Sequence, residues 1–283
     1  ARVHLICLMP KKVSKIENES YAQLSALSAS DRAQIIVTSG QGPEEVITCV
    51  LQNKIRHLIQ EKSAVAHSQI ESSVRMLLTP EDYFCSPIKT VLHPVKFSEV
   101  QETDLVEFEF KFNSNGQKTE LLNLFEKYFK TFCESAALLS DVSLVIDELF
   151  TNAIYNAPSN DLENTATGHV RGEHNLELHA GLFARIFAGR NSECLLVGCE
   201  DPYGTLNVRK MIERIHSCLI LGADKMMRFG EGGAGIGCYL IFLNSMSLYV
   251  GVEKNKRTTM CSLIPLGLGD RTRNEMPKDF HYF

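Results

Sequence analysis

The segment Phe229-Gly230-Glu231-Gly232-Gly233-Ala234-Gly235-Ile236-Gly237 constrains this chain most. Five glycines in nine residues favour an irregular loop, because glycine loses more backbone freedom on ordering than any other residue. Immediately afterwards, Cys238-Tyr239-Leu240-Ile241-Phe242-Leu243 forms an apolar run that reads as a helix. A glycine-rich loop feeding a helix N-terminus presents unpaired backbone N–H groups and the positive end of the helix dipole, both suited to a phosphate.

Two other segments carry chemistry. A helix is expected from about residue 138 to 157, stopped by Pro158. Its apolar face is Val142, Val145, Ile146, Leu149 and Ala153, while Glu148, Asn152 and Asn156 recur every four residues along one side. A carboxylate and a carboxamide one turn apart suit a hydrated magnesium ion, which prefers oxygen ligands. Glu148 also has the chemistry to polarise an attacking hydroxyl. The second segment is the buried-strand run Glu193–Glu200, which leads into Asp201-Pro202-Tyr203-Gly204-Thr205-Leu206. An acid at a strand end can accept a hydrogen bond from an amino group while the backbone turns at the glycine.

Composition sets the class. With 22% charged and 44% hydrophobic residues over 283 positions, the chain has ample material for one large or two modest globular domains. A net charge of −5 argues against non-specific binding to nucleic acid or to an anionic membrane. No apolar run approaches the ~20 residues needed to cross a bilayer. The nine cysteines are scattered and never spaced Cys-x-x-Cys, so they read as small buried hydrophobes in a reducing, cytoplasmic setting.

The first 78 residues alternate strand and helix patterns. Strands are expected at residues 3–9, 34–40 and 55–59, with helices at 16–27, 43–52 and 63–78. Pro43-Glu44-Glu45 opens the second helix, with acids at its positive end. Residues 35–62 resemble the second half of a response-regulator receiver. No Asp precedes Asp31, so the resemblance implies a degenerate receiver without a phosphoacceptor. Residues 79–104 contain Pro80, Pro87 and Pro94 and read as a connector. The alternation Leu105–Phe112 then predicts a half-buried strand, and residues 119–136 a helix.

The order Glu148-Leu149-x-x-Asn152-Ala153, strand-Asp201-x-x-Gly204-x-Leu206, then Gly232-Gly233-x-Gly235-x-Gly237-helix resembles the GHKL (Bergerat-fold) ATPase superfamily. The likeness is greatest to the anti-sigma-factor serine kinase branch, whose ATPase domain also begins with a strand. It covers about residues 106–266.

The resemblance implies an α/β architecture. A receiver-like unit (1–78) and connector (79–104) would precede an ATP-binding sandwich (105–270), its mixed sheet covered by helices on one face, and a C-terminal tail (271–283). It implies ATP and magnesium as cofactors, with Asn152 on the metal and Glu148 as general base. Asn156 would join the nucleotide site, Asp201 would take the adenine amino group, and Gly204 would line the adenine pocket. Gly232, Gly233, Gly235 and Gly237 would cradle the phosphates, and Thr258 or Thr259, here Thr259, would support the base.

The expected function is phosphoryl transfer to serine or threonine of a signalling protein, such as an anti-sigma antagonist or sigma factor, with no nucleic-acid or membrane partner and a homodimer left open. A histidine kinase core and a nucleotide-gated binding module are the alternatives. For the former, His67 is the helical phosphoacceptor candidate, although a two-helix dimerising hairpin does not fit the segment around it.

Overall fold

The structure is a computed structural model that describes residues 4–7, 34–38, 42–53, 55–63, 66–92, 106–158, 176–222, 236–269, 272 and 275–283. The expected helix at 16–27 lies outside the described residues. Parallel strands β1 (His4–Cys7), β2 (Gln34–Thr38) and β3 (His57–Gln60) come first, with helix α1 (Pro43–Asn53) crossing between β2 and β3. Helices α2 (Ala66–Leu78), α3 (Pro80–Cys85) and α4 (Pro87–Leu92) follow. Next come strand β4 (Phe108–Phe112) and helices α5 (Lys118–Phe129) and α6 (Ala136–Thr151). The remainder is β5 (Ala184–Arg190), β6 (Cys194–Asp201), α7 (Val208–Leu221), α8 (Ile236–Asn244), β7 (Ser247–Glu253), β8 (Arg257–Pro265) and β9 (Asp279–Tyr282).

These strands form one nine-stranded mixed sheet in the order β1-β2-β3-β9-β7-β8-β6-β5-β4. The expected C-terminal tail is therefore a central strand. Antiparallel to β3 and parallel to β7, β9 joins the N-terminal strands to the rest of the sheet. Residues 278–281 of this segment are essentially inaccessible to solvent.

Strand alternation gives the sheet two apolar faces. Leu195, Val197 and Cys199 of β6 belong to one core with α1, α5, α6, α7 and α8. Cys194 and Leu196 belong to the other, with Tyr83 and Phe84 of α3 and Ile88 and Val91 of α4. The helices after residue 105 thus share one face, as expected, while helices from residues 66–92 cover the opposite face. The expected connector is, over its described part, two short packed helices. Pro80 and Pro87 open them, because proline at the first helical position sacrifices no intrahelical hydrogen bond.

Candidate functional site

Helix α6 begins at Ser135, whose hydroxyl accepts the Leu138 N–H at 3.2 Å. Its apolar stripe, Val142, Val145, Ile146 and Leu149, is fully buried. Pro158 has no N–H to extend the helix, and the last turn widens into a π segment over Asn152–Asn156. There Ala157 N–H reaches back five residues to Asn152 O at 3.1 Å. Such widened turns concentrate at functional sites because they redirect side chains. Here the Asn156 Nδ2 donates to Asn152 Oδ1 at 2.7 Å, and the Asn152 amide lies 3.7 Å from Cys238 Sγ at the start of α8.

Both asparagines line a cavity of about 240 Å³ between α6, β6, β8, α7 and the start of α8. Cys199 and Asp201 reach it from β6, and Thr258 and Met260 from the paired residues of β8. Asp201 is 9% exposed. Its Oδ1 accepts the Tyr203 N–H at 3.0 Å, which closes the turn after β6. Burial pushes the Asp201 carboxyl up to about 6, partly offset by that N–H and by the neighbouring Thr258 hydroxyl. Thr258 Oγ1 is itself buried and makes no hydrogen bond of normal geometry among the described residues. The loop after Asp201 is tied to the π segment, where Thr205 Oγ1 donates to Ala157 O at 2.8 Å.

The sequence-predicted residues divide into three groups. Asn152, Asn156 and Asp201 meet in the cavity. Glu148 and Gly237 meet each other beside it: a Cβ on Gly237 would sit 2.2 Å from Glu148 Oε2, so a side chain there would displace that carboxylate from the first turn of α8. Gly204 and Thr259 do not line the cavity, although the Gly204 N–H reaches the Asp201 carboxylate. Gly204 has φ +61, and a Cβ there would strike Glu253 O at 2.1 Å, so this glycine serves the packing of the β7–β8 turn instead of lining the cavity. Thr259 faces the opposite side of the sheet, where its hydroxyl donates to Glu200 Oε2 at 3.2 Å. Of the two threonines, Thr258 is the one in the cavity.

Gly232, Gly233 and Gly235 lie outside the described residues, as does the side chain of His67. Helix α2, which carries His67, packs against β3 on the face opposite the cavity. No group of three or more His, Cys, Asp or Glu side chains placed to hold a metal occurs among the described residues.

The sequence reading missed the wall formed by α7. Asn207 caps this helix, accepting the Lys210 N–H at 3.0 Å, and Lys210, Met211 and Arg214 line the cavity. Their i, i+1, i+4 spacing places two cations and an apolar side chain on one helical face. That face is recognisable only once the turn after Asp201 is seen to aim α7 across the cavity. Cys238 is inert by comparison, since burial pushes its thiol up to about 12.

No protein-family model and no curated protein sequence matches this chain. Among solved structures, a chain of the crystal structure of the SiaB-SiaC complex from Pseudomonas aeruginosa is similar over 68% of this chain and 98% of its own length, at 14% identity and a TM-score of 0.41. Among the described residues, no helix is long and apolar enough to cross a membrane.

Proposed function

We propose that the cavity binds ATP with magnesium, and that the chain is an ATP-dependent kinase transferring the γ-phosphoryl group to a serine or threonine of a signalling protein. The observation that carries the reading is the pair on the cavity wall. Asp201 offers a buried acceptor, and beside it stands the buried Thr258 hydroxyl, whose contact with that carboxylate falls short of normal hydrogen-bond geometry. Buried polar groups normally find partners, and this pair suits the amino group and adjacent ring nitrogen of adenine. The order of motifs shared with the GHKL ATPases supports the same assignment. At about 240 Å³, the cavity has room for the base, below the ~300–1,000 Å³ typical of sites that enclose a whole drug-sized ligand. Lys210 and Arg214 give the same cavity positive charge for the phosphates.

The donor chemistry of Asn152 and Glu148 fits magnesium, since both supply oxygen and stand one turn apart. When bound, the ion offsets the charge that develops on the transferring group. Asn156 orients the Asn152 carboxamide through their hydrogen bond. The Glu148 carboxylate would take the proton of the attacking hydroxyl as its oxygen bonds to the γ-phosphorus and ADP departs.

Calorimetric titration of the full chain tests the proposal. Wild-type protein should bind ATP in a magnesium-dependent way, and Asn152→Ala should lose affinity about 100-fold or more, the scale expected for losing a charge-assisted contact. An Asn152→Ala chain that binds as tightly as wild type would refute the site.

A further inference from the structure

Strand β4 is the outermost strand of the sheet. β5 occupies one of its edges, and among the described residues no strand pairs with the other. An unpaired edge is a template for another strand. The β4 sequence, Phe108-Glu109-Phe110-Lys111-Phe112, has the same pattern from either end, except that acid and base exchange places. Antiparallel pairing of two copies about a two-fold axis through Phe110 would set each Glu109 opposite the other copy's Lys111. It would also set Phe108 opposite Phe112, and Phe110 opposite its own copy. We infer that β4 is a self-complementary edge through which two copies of this chain form a dimer with one continuous sheet.

The charges select this register. Sliding either copy by two residues places Glu109 against Glu109, or Lys111 against Lys111, and like charges directly opposite destabilise a ladder. Sliding by one residue would put the helices of the two copies on opposite faces of the sheet. Both charged side chains are accessible, Lys111 at 68% and Glu109 at 34%, and they lie 3.4 Å apart within one copy. Glu109 also lies 3.9 Å from Arg185 of β5, which steadies it at the edge.

Helix α5 adds an apolar flank. It lies over β4, where the Phe108 ring is 5.3 Å from Phe125 and 5.5 Å from Tyr128. Lys118, paired with Asp147 of α6, marks the inward flank of α5. Leu124 lies six residues further on, roughly 120° around the helix, on a flank outside the buried stripe of Leu121, Phe125 and Phe129. It is 39% exposed. A two-fold arrangement brings this flank of each copy toward the other, as a self-matching interface requires.

Size-exclusion chromatography with light scattering on the full chain, at tens of micromolar, should give the mass of a dimer. Lys111→Glu and Glu109→Lys should each raise the dissociation constant about tenfold or more, because each turns two attractions into two repulsions. The double variant Glu109→Lys/Lys111→Glu restores opposite charges across the axis and should recover wild-type association. Both positions are on the surface, so unchanged far-UV circular dichroism is expected throughout. A monomeric wild type, a dimer indifferent to either single change, or a double variant no tighter than the singles would each overturn the inference.

Discussion

The two ends of α8 bury ionisable groups in different ways. At its last turn, Lys278 Nζ donates to Leu243 O at 2.5 Å and Ser245 O at 2.9 Å, and Phe242 packs against Phe280 with ring centroids 6.3 Å apart. Next along β9, Asp279 accepts the Gln60 N–H and, at 3.4 Å, the Ser247 hydroxyl. His281 meets Gln69 and Ser73, and stacks on Tyr249 at 4.3 Å. The first turn of α8 instead borders the cavity, where Asp201 and Thr258 stand buried beside open space. Where protein groups meet the buried Lys278, Asp279 and His281, polar burial helps fix the register of a strand. Where the buried pair borders open space, it leaves room for a ligand. At both ends burial disfavours the charged form of the carboxyl, and what lies beside it distinguishes them.

The contrast predicts opposite responses to mutation. The largest effect should come from Phe280→Ala, which removes a fully buried ring between α8 and the N-terminal strands. It should cost about 3–5 kcal/mol of folding free energy, measured by urea denaturation. A loss below about 1 kcal/mol would mean that β9 is not the joint between the two halves.

Next comes the cavity acid. The folded-state pKa of Asp201 lies above its ordinary value, at about 6. Folding therefore favours the protonated form, and this group contributes less to stability as pH rises from about 4 toward 6. Replacing it with Asn should leave stability near neutral pH within about 1 kcal/mol, or raise it. Nucleotide affinity depends on the charged form, so in wild type it should fall as pH drops below about 6, approaching tenfold per unit. Titrations at several pH values read this directly, and a flat profile that Asp201→Asn leaves unchanged would contradict the role of the carboxylate.

The smallest effect separates the two threonines. Thr258→Val should weaken ATP binding roughly fivefold, the value of about one hydrogen bond, while Thr259→Val should leave it unchanged.

Long periodic elements could be read directly from the sequence. Helix α6, strand β6 and the alternation in β4 lie within a few residues of their expected positions, since each repeats its apolar pattern over several turns or pleats. The elements that carry Asn152, Asn156 and Asp201 were legible in this way, while the choice of those residues came from the order of motifs that resembles the GHKL ATPases. Residues placed by long-range contact were not. β9 reads Asp-Phe-His-Tyr, a poor strand by composition, and it is buried only because Gln60, Gln69 and Ser247 satisfy its polar groups. Pro80 and Pro87 looked like breakers although they start helices. The choice between Thr258 and Thr259 depended on strand parity, which the β6–β8 register supplies. Gly204 looked like a pocket residue because its neighbours across the β7–β8 turn lie about 50 residues away in the chain.

Selectivity between ATP and inosine triphosphate tests the central claim most directly. Inosine carries a carbonyl oxygen where adenine carries its amino group, and an acceptor at Asp201 cannot pair with it. Competition binding at pH 7.5 should show ATP preferred by about 100-fold or more, as expected when a site built for a donor meets a ligand lacking one. Equal affinity for the two nucleotides would show that the base does not rest on Asp201.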